Sequence, residues 1–225
     1  MMDDRGTDSP PFGVIFDMDG VLVDSADAHW ESWRLLAREN RRTATREQFA
    51  TTFGRQNRDI IPILFGEVSA AKMQALSERK EALYRDLIRD HPPVVPGAVE
   101  LIRSLFADGA VLAVGSSGPR ANIDLVLAAM EVVDAISVVV SADDVTRGKP
   151  DPQVFQLAVE RLGLSPGRCI VIEDAPAGVL AAKAAGARAV AVLIHHPRQA
   201  FSQADCLVDR LSDLSVPRLR AIASA

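Results

Sequence analysis

The chain has 225 residues, 48% of them hydrophobic and 24% charged, a composition that builds a core and excludes disorder throughout. Its 25 Lys+Arg against 30 Asp+Glu give a net charge of −5, and without a basic run carrying interleaved aromatics no nucleic-acid partner is expected. The two cysteines, Cys169 and Cys206, are too few for a disulfide scaffold or a zinc cage and fit a reducing, cytoplasmic setting.

Met1 to Pro11 is acidic and Pro-containing with no apolar signal segment, and later apolar runs fall well short of the roughly 18 residues that span a bilayer, so no membrane partner is expected. Residues 13–17 form the first short β-rich run, almost wholly apolar, as in a strand covered on both faces. Residues 26–91 then carry helical spacing (Trp30, Trp33, Ala37; Leu76, Leu83, Leu87) and no convincing strand. Pro92-Pro93-Val94-Val95-Pro96-Gly97 closes this block as a stiff linker.

From there strands and helices alternate. Strands are expected at 110–115, 136–140, 169–172, 189–193 and 206–209, with helices marked by Ala98/Leu101/Ile102/Leu105, Ile123/Val126/Leu127/Met130, Phe155/Ala158/Val159/Leu162 and Ala177/Leu180/Ala181/Ala184. This is the pattern of βαβ crossovers on a mainly parallel sheet. The fold class is α/β, interrupted after its first strand by a helical insertion.

The residues that carry chemistry stand at the strand ends. Asp17 and Asp19 close the first strand ahead of Gly20, and in an extended chain such neighbours project to one side. At roughly 6 Å and an effective dielectric near 20, two such carboxylates repel by about 2–3 kcal/mol, which calls for a cation or a shared proton. Mg²⁺ answers that demand, although Asp-x-Asp-Gly also reads as a plain turn. Glu173 and Asp174 close another apolar strand ahead of Pro176, where an ordinary helix cap is the competing reading. Ser116 and Ser117 precede Gly118-Pro119 at a helix start whose hydroxyls and free amides form a seat for phosphate. Lys149, in Gly148-Lys149-Pro150-Asp151-Pro152, precedes a further helix with Asp151 as its cap, and reads otherwise as a solvated loop lysine. His195-His196 reads as surface.

Taken together, Phe16-Asp17-Met18-Asp19-Gly20-Val21-Leu22-Val23-Asp24-Ser25, Ser116 after its strand, Gly148-Lys149-Pro150-Asp151-Pro152 and Ile172-Glu173-Asp174-Ala175-Pro176-Ala177-Gly178 resemble the four motifs of the haloacid dehalogenase superfamily, in order. The resemblance implies a Rossmann-like parallel sheet core (1–24 and 94–225) with an inserted all-helical cap domain (25–93). It implies Asp17 as nucleophile, Asp19 as general acid and base, and Ser116 and Lys149 as holders of the phosphoryl oxygens. It also implies a Mg²⁺ site from Asp17, Asp19 through its carbonyl, Glu173 and Asp174.

Asp19 argues against carbon–halogen cleavage, because true dehalogenases lack it and need no metal. The start of the cap, Asp24-Ser25-Ala26-Asp27-Ala28-His29-Trp30, resembles the β-phosphoglucomutase-like and sugar-phosphate phosphatase branch. There His29 would face the substrate or relay a proton near Asp19, and Asp24, the cap residues Arg55, Asn57 and Arg58 and the phosphate-seat residues Ser117 and Gly118 would face the substrate. Mutases of this branch grip the second phosphate with an arginine three residues beyond a cap glycine, and counting from Gly54 that position is Asn57. The expectation is a Mg²⁺-dependent phosphatase acting on a small phosphorylated metabolite, with a mutase as the alternative and nothing requiring more than a monomer.

Overall fold

The apolar runs become six strands: β1 (Gly13–Phe16), β2 (Val111–Gly115), β3 (Val138–Val140), β4 (Cys169–Glu173), β5 (Arg188–Val192) and β6 (Cys206–Val208). The computed structural model describes residues 11–50, 52 and 56–225. Arg55, expected to face the substrate, and Gly54 lie outside the described residues. The strands form one parallel sheet in the order β3-β2-β1-β4-β5-β6. β3 starts two residues later than expected, because the amide of Ile136 closes a 3₁₀ turn on Val133 O at 3.2 Å rather than joining the ladder.

Alternate strand residues feed two apolar layers. Val14 and Phe16 face a core closed by α5 (Ala98–Ala107), α6 (Arg120–Ala129) and α9 (Val216–Ser224), while Ile15 faces α7 (Gln153–Leu162) and α8 (Pro176–Ala184). Helix α9 has a weak apolar period, with Leu219 and Ala223 as its buried residues, and follows Ser215, whose Oγ accepts from Arg218 N at 3.4 Å. It lies outside the expected elements.

The insertion is all-helical: α1 (Ala26–Glu39), α2 (Arg46–Ala50), α3 (Asn57–Phe65) and α4 (Ala70–Ile88). It has an apolar core of its own around Trp33, Leu36, Ile61, Leu64 and Leu76. Two places depart from this: Ala28 of α1 packs against the main core and Tyr84 and Ile88 of α4 join it, while Leu87, expected on the apolar stripe, is exposed. The two passages between insertion and sheet lie side by side. Val23 bridges Val94, Asp24 N donates to Pro93 O at 2.8 Å and Val95 N to Leu22 O at 2.9 Å. Among the described residues no helix is long and apolar enough to cross a membrane.

The expected face of α8 is corrected. Leu180 is 40% exposed and Ala184 is exposed, whereas Gly178, Val179, Ala181 and Ala182 are buried. In a helix this rich in alanine the period does not select a phase. The phase is set by Glu173, whose carboxylate occupies the place a Cβ on Gly178 would take, 1.7 Å from Oε1.

Turning Gly178 under Glu173 turns Leu180 outward. Leu180→Ser should therefore change unfolding free energy by less than about 0.5 kcal/mol, while Ala182→Leu on the buried face should cost about 1–3 kcal/mol. Urea unfolding of the two variants reads this directly, and the reverse ranking would refute the assigned phase.

Candidate active site

From β1 the chain winds outward to β2 and β3, and from β4 it winds the other way to β5 and β6. A crevice opens at the carboxyl ends of strands where such an order reverses. Asp17 directly follows β1, its amide donating to Ile172 O at 2.9 Å, and Glu173 ends the neighbouring β4. The loop after β2 supplies Ser116 and the loop before α7 supplies Lys149.

Lys149 Nζ donates to Asp17 Oδ1 and to Glu173 Oε1, each at 2.7 Å, and lies 4.6 Å from the centroid of the Phe155 ring. All three charged groups are almost fully buried. Burial pulls the lysine down, but the charges of Asp17 and Glu173 outweigh it and raise its affinity for a proton. Burial pushes the Asp17 carboxyl up to about 7 against the pull of Lys149. Burial and the neighbouring carboxylates Glu173 and Asp17 push Asp174 up to about 9.

Asp17, Glu173 and Asp174 each offer an oxygen, and these oxygens lie within 4.8 Å of one another. Among the described residues, Asp174 Oδ2 is the buried side-chain oxygen without a hydrogen-bond partner. A buried acceptor left alone is costly, and three carboxylates beside one ammonium leave negative charge uncompensated. The donor set is all oxygen, the chemistry of a hard divalent cation. Gly20, at φ +81°, makes room for the Asp174 carboxylate, since a Cβ there would fall 2.0 Å from Asp174 Oδ2.

Asp19 sits in a different environment. Its Oδ1 accepts from Ser25 Oγ at 2.5 Å, meets His29 Nε2 at 3.1 Å and has Tyr84 OH at 3.5 Å. Burial raises the Asp19 carboxyl, but His29, Ser25 and Lys80 outweigh it and hold it below the usual carboxylate value. Ser25 precedes α1 without capping it, because its hydroxyl is committed to Asp19. His29 stacks on Tyr84 with ring centroids 4.1 Å apart, and its Nδ1 lies 2.7 Å from Lys80 Nζ.

Above these groups is a cavity of about 490 Å³, with Asp17, Asp19, Lys149, Glu173, Asp174 and Ser117 on one side and Trp33, Asn57, Arg58 and Lys80 on the other. Ser116 is buried, and its Oγ accepts from Gly118 N at 3.0 Å. The amide of Arg120, at the start of α6, is occupied by Asp143 Oδ2 at 2.9 Å, so that helix start is less open to an anion than expected. Asp151 accepts from Gln153 N at 3.0 Å, and α7 begins one residue later than expected.

Asp24, expected to face the substrate, is not among the residues that line the cavity. It is exposed, with His195 Nε2 3.3 Å from its Oδ1, because Val23 turns into the core and the next residue of the linker turns out. Asn57 lines the cavity, but its amide donates to Ser77 Oγ at 2.9 Å and Glu81 Oε1 at 2.7 Å. Arg58 reaches across to Thr146 O at 3.3 Å. His196, expected at the surface, is partly buried and lines the cavity.

Lys80 and Tyr84 escaped the sequence reading, as did Gln56, which also lines the cavity. Lys80 had a signal: a charged residue four positions after Leu76 and three before Leu83, inside the apolar stripe of α4, where lysines are rarely buried without a partner.

Residues 13–186 match the family of haloacid dehalogenase-like hydrolases. The chain is 32% identical over 208 residues to validoxylamine A 7'-phosphate phosphatase of Streptomyces hygroscopicus subsp. limoneus, covering 92% of this chain and 97% of that one. It is 31% identical over 214 residues to β-phosphoglucomutase of Bacillus subtilis, covering 92% of each. The crystal structure of a β-phosphoglucomutase from Clostridium difficile shares the fold, with a TM-score of 0.84 at 23% identity over 96% of this chain and 98% of that one.

The carboxylate cluster makes a pH-dependent demand for a cation. Unfolded, Asp17 and Asp174 ionise near 3.8, whereas in the cation-free fold they hold protons up to about 7 and about 9. The folded state therefore binds more protons across that window, and stability falls as pH rises through it. A divalent cation relieves this loss, so the rise in Tm on adding one should be larger at pH 8 than at pH 5. Melts showing no rise, or the same rise at both values, would contradict the assignment.

Proposed function

The chain belongs to the haloacid dehalogenase-like hydrolases, and on that footing we propose that it is a Mg²⁺-dependent phosphatase of a small phosphomonoester, a phosphorylated sugar in the first instance. Residues 25–93 serve as its cap and the remainder as its catalytic core. The observation that carries the reading is the pair Asp17 and Asp19: one carboxylate against Lys149 in a buried acidic cluster, the other held by Ser25 and His29 at the cavity wall.

Asp17 attacks phosphorus in line, the ester P–O bond breaks, and the departing oxygen takes a proton from Asp19, whose carboxyl the negative phosphoryl group of a seated substrate drives toward its protonated form against the pull of His29, Ser25 and Lys80. Asp19, now ionised, accepts a proton from the water that attacks the Asp17 phosphoryl group, which releases inorganic phosphate and restores Asp17. Splitting the hydrolysis into two displacements is the gain from a covalent nucleophile. Lys149 and Ser116 hold the phosphoryl oxygens and spread their charge. Asp17, Glu173, Asp174 and the carbonyl of Asp19 would hold Mg²⁺, whose charge neutralises the phosphoryl group and favours the ionised form of Asp17. The cap closes over the seated substrate and excludes bulk water, and it opens to admit the water that attacks the phosphoryl group. The relatives named for phosphatase and β-phosphoglucomutase activity support phosphate chemistry on a carbohydrate.

The mutase is the second reading, favoured by Arg58, a cap cation on the cavity wall that suits a second phosphate. Against it, the Asn57 amide is already engaged by Ser77 and Glu81. Incubation with glucose 1-phosphate separates them: inorganic phosphate marks the phosphatase, and glucose 6-phosphate formed with a bisphosphate primer marks the mutase.

With 4-nitrophenyl phosphate, Asp17→Asn should lower turnover on the order of 10⁴-fold or more while the protein stays folded. Full activity in that variant, or in excess chelator, would sink the proposal.

A further inference from the structure

A continuous run of hydrogen bonds leads from the sheet-packing helix α6, through the cap, to Asp19. Asn122, on α6 and fully buried, donates from Nδ2 to Glu81 Oε2 at 2.6 Å and accepts at Oδ1 from an Arg85 guanidinium nitrogen at 2.9 Å. Glu81 and Arg85 stand one turn apart on α4, so a carboxylate and a guanidinium of the cap grip a single core amide. A primary amide suits both, since it donates at one end and accepts at the other. Glu81 Oε1 accepts in turn from Lys80 Nζ at 2.9 Å and from Asn57 at 2.7 Å.

The run continues to the site. Lys80 Nζ reaches His29 Nδ1 at 2.7 Å, and His29 Nε2 reaches Asp19 Oδ1 at 3.1 Å. An ammonium only donates and a carboxylate only accepts, so a ring with its proton on Nε2 satisfies both contacts at once. The Lys80 side chain is 3% exposed and that of Glu81 11%. An ammonium so deeply buried is held there by its partner, and removing the partner leaves an uncompensated charge. Lys80 therefore stays on His29 because Glu81 is present, and Glu81 is aimed by Asn122, which belongs to the core.

We propose that Glu81, seated by Asn122, is a positioning residue that couples docking of the cap on α6 to the orientation of Asp19. The proposal rests on reading Asp19 as the group that protonates the departing oxygen. Without the Asn122 grip on Glu81 and Arg85, Glu81 loses its aim, Lys80 loses its hold and His29 is free to turn. Asp19 is thus held in its working orientation only while this clasp between α4 and α6 is made.

The test compares two esters in the full-length protein with Mg²⁺: 4-nitrophenyl phosphate, whose leaving group departs without help, and glycerol 2-phosphate, whose alkoxide must be protonated. In Asn122→Asp, Asn122→Ala and Glu81→Gln, kcat/KM for the alkyl ester should fall at least about tenfold more than for the aryl ester, part of the full worth of a general acid. Asn122→Asp sets a carboxylate against Glu81 while keeping an acceptor for Arg85. Independently of turnover, ¹⁵N spectra of the His29 ring, assigned with His29→Asn, should show a single Nε2-protonated form in the parent that becomes mixed in the variants.

Equal losses on the two esters, or none, with His29 unchanged, would overturn the proposal by reducing the clasp to a structural contact. Should the parent protein turn over neither ester, the phosphatase reading fails, and the imidazole spectra still decide whether Asn122 controls His29.

Discussion

The placement of one ammonium between two buried carboxylates governs the active end of this protein. Charges taken out of water are tolerated when each finds a partner, and Lys149 meets that condition for Asp17 and Glu173 at 2.7 Å on either side. Several features of the chain follow from it. β1 and β4 must be neighbours so that Asp17 and Glu173 share one rim. Gly20 and Gly178 must lack side chains because Asp174 and Glu173 occupy the space. Even the rotational phase of α8 is set by this cluster, which leaves a leucine in solvent.

Asp17 and Asp19 stand two residues apart and are driven in opposite directions, Asp17 upward by burial and Asp19 downward by His29, Ser25 and Lys80, which outweigh its burial. Divergent carboxylates often mark an acid and its partner, and on these shifts alone Asp17 would be the acid. The cluster around it explains the inversion. Asp17 is raised by its burial among other acids, and a divalent cation held by Asp17, Glu173 and Asp174 would tip the local balance in favour of the carboxylate. Asp19 owes its depression to side chains of the cap and its linker, and so depends on where the helical insertion sits.

Much of the fold was legible because its signals are local. Each expected strand is present, with ends shifted by no more than two residues, since short apolar runs between turn residues leave little choice in a two-layered α/β protein. The helical insertion announced itself by interrupting the alternation. The positions of Asp17, Lys149, Glu173 and Asp174 on one rim were readable because strand ends of a parallel sheet converge there. What escaped was set by contacts distant in sequence. An alanine-rich helix hides its phase, so Leu180 reads as inward although it is exposed, and Asp24 reads as substrate-facing although pairing of the linkers turns it outward. Glu81 and Asn122 carry no motif. They are 41 positions apart and meet because α4 lies on α6.

The paired linkers at Val23 and Val94 have an evolutionary corollary. A helical unit with its own apolar interior, attached through two adjacent backbone crossings, is a module that recombination could exchange without disturbing the parallel sheet beneath. The seam for such an exchange would lie before Lys80, because the last two turns of α4 lend Tyr84 and Ile88 to the main interior and carry the Asn122 clasp. New substrate ranges would then arise by transplanting the region from α1 to the middle of α4, while the phosphoryl-handling machinery descends intact.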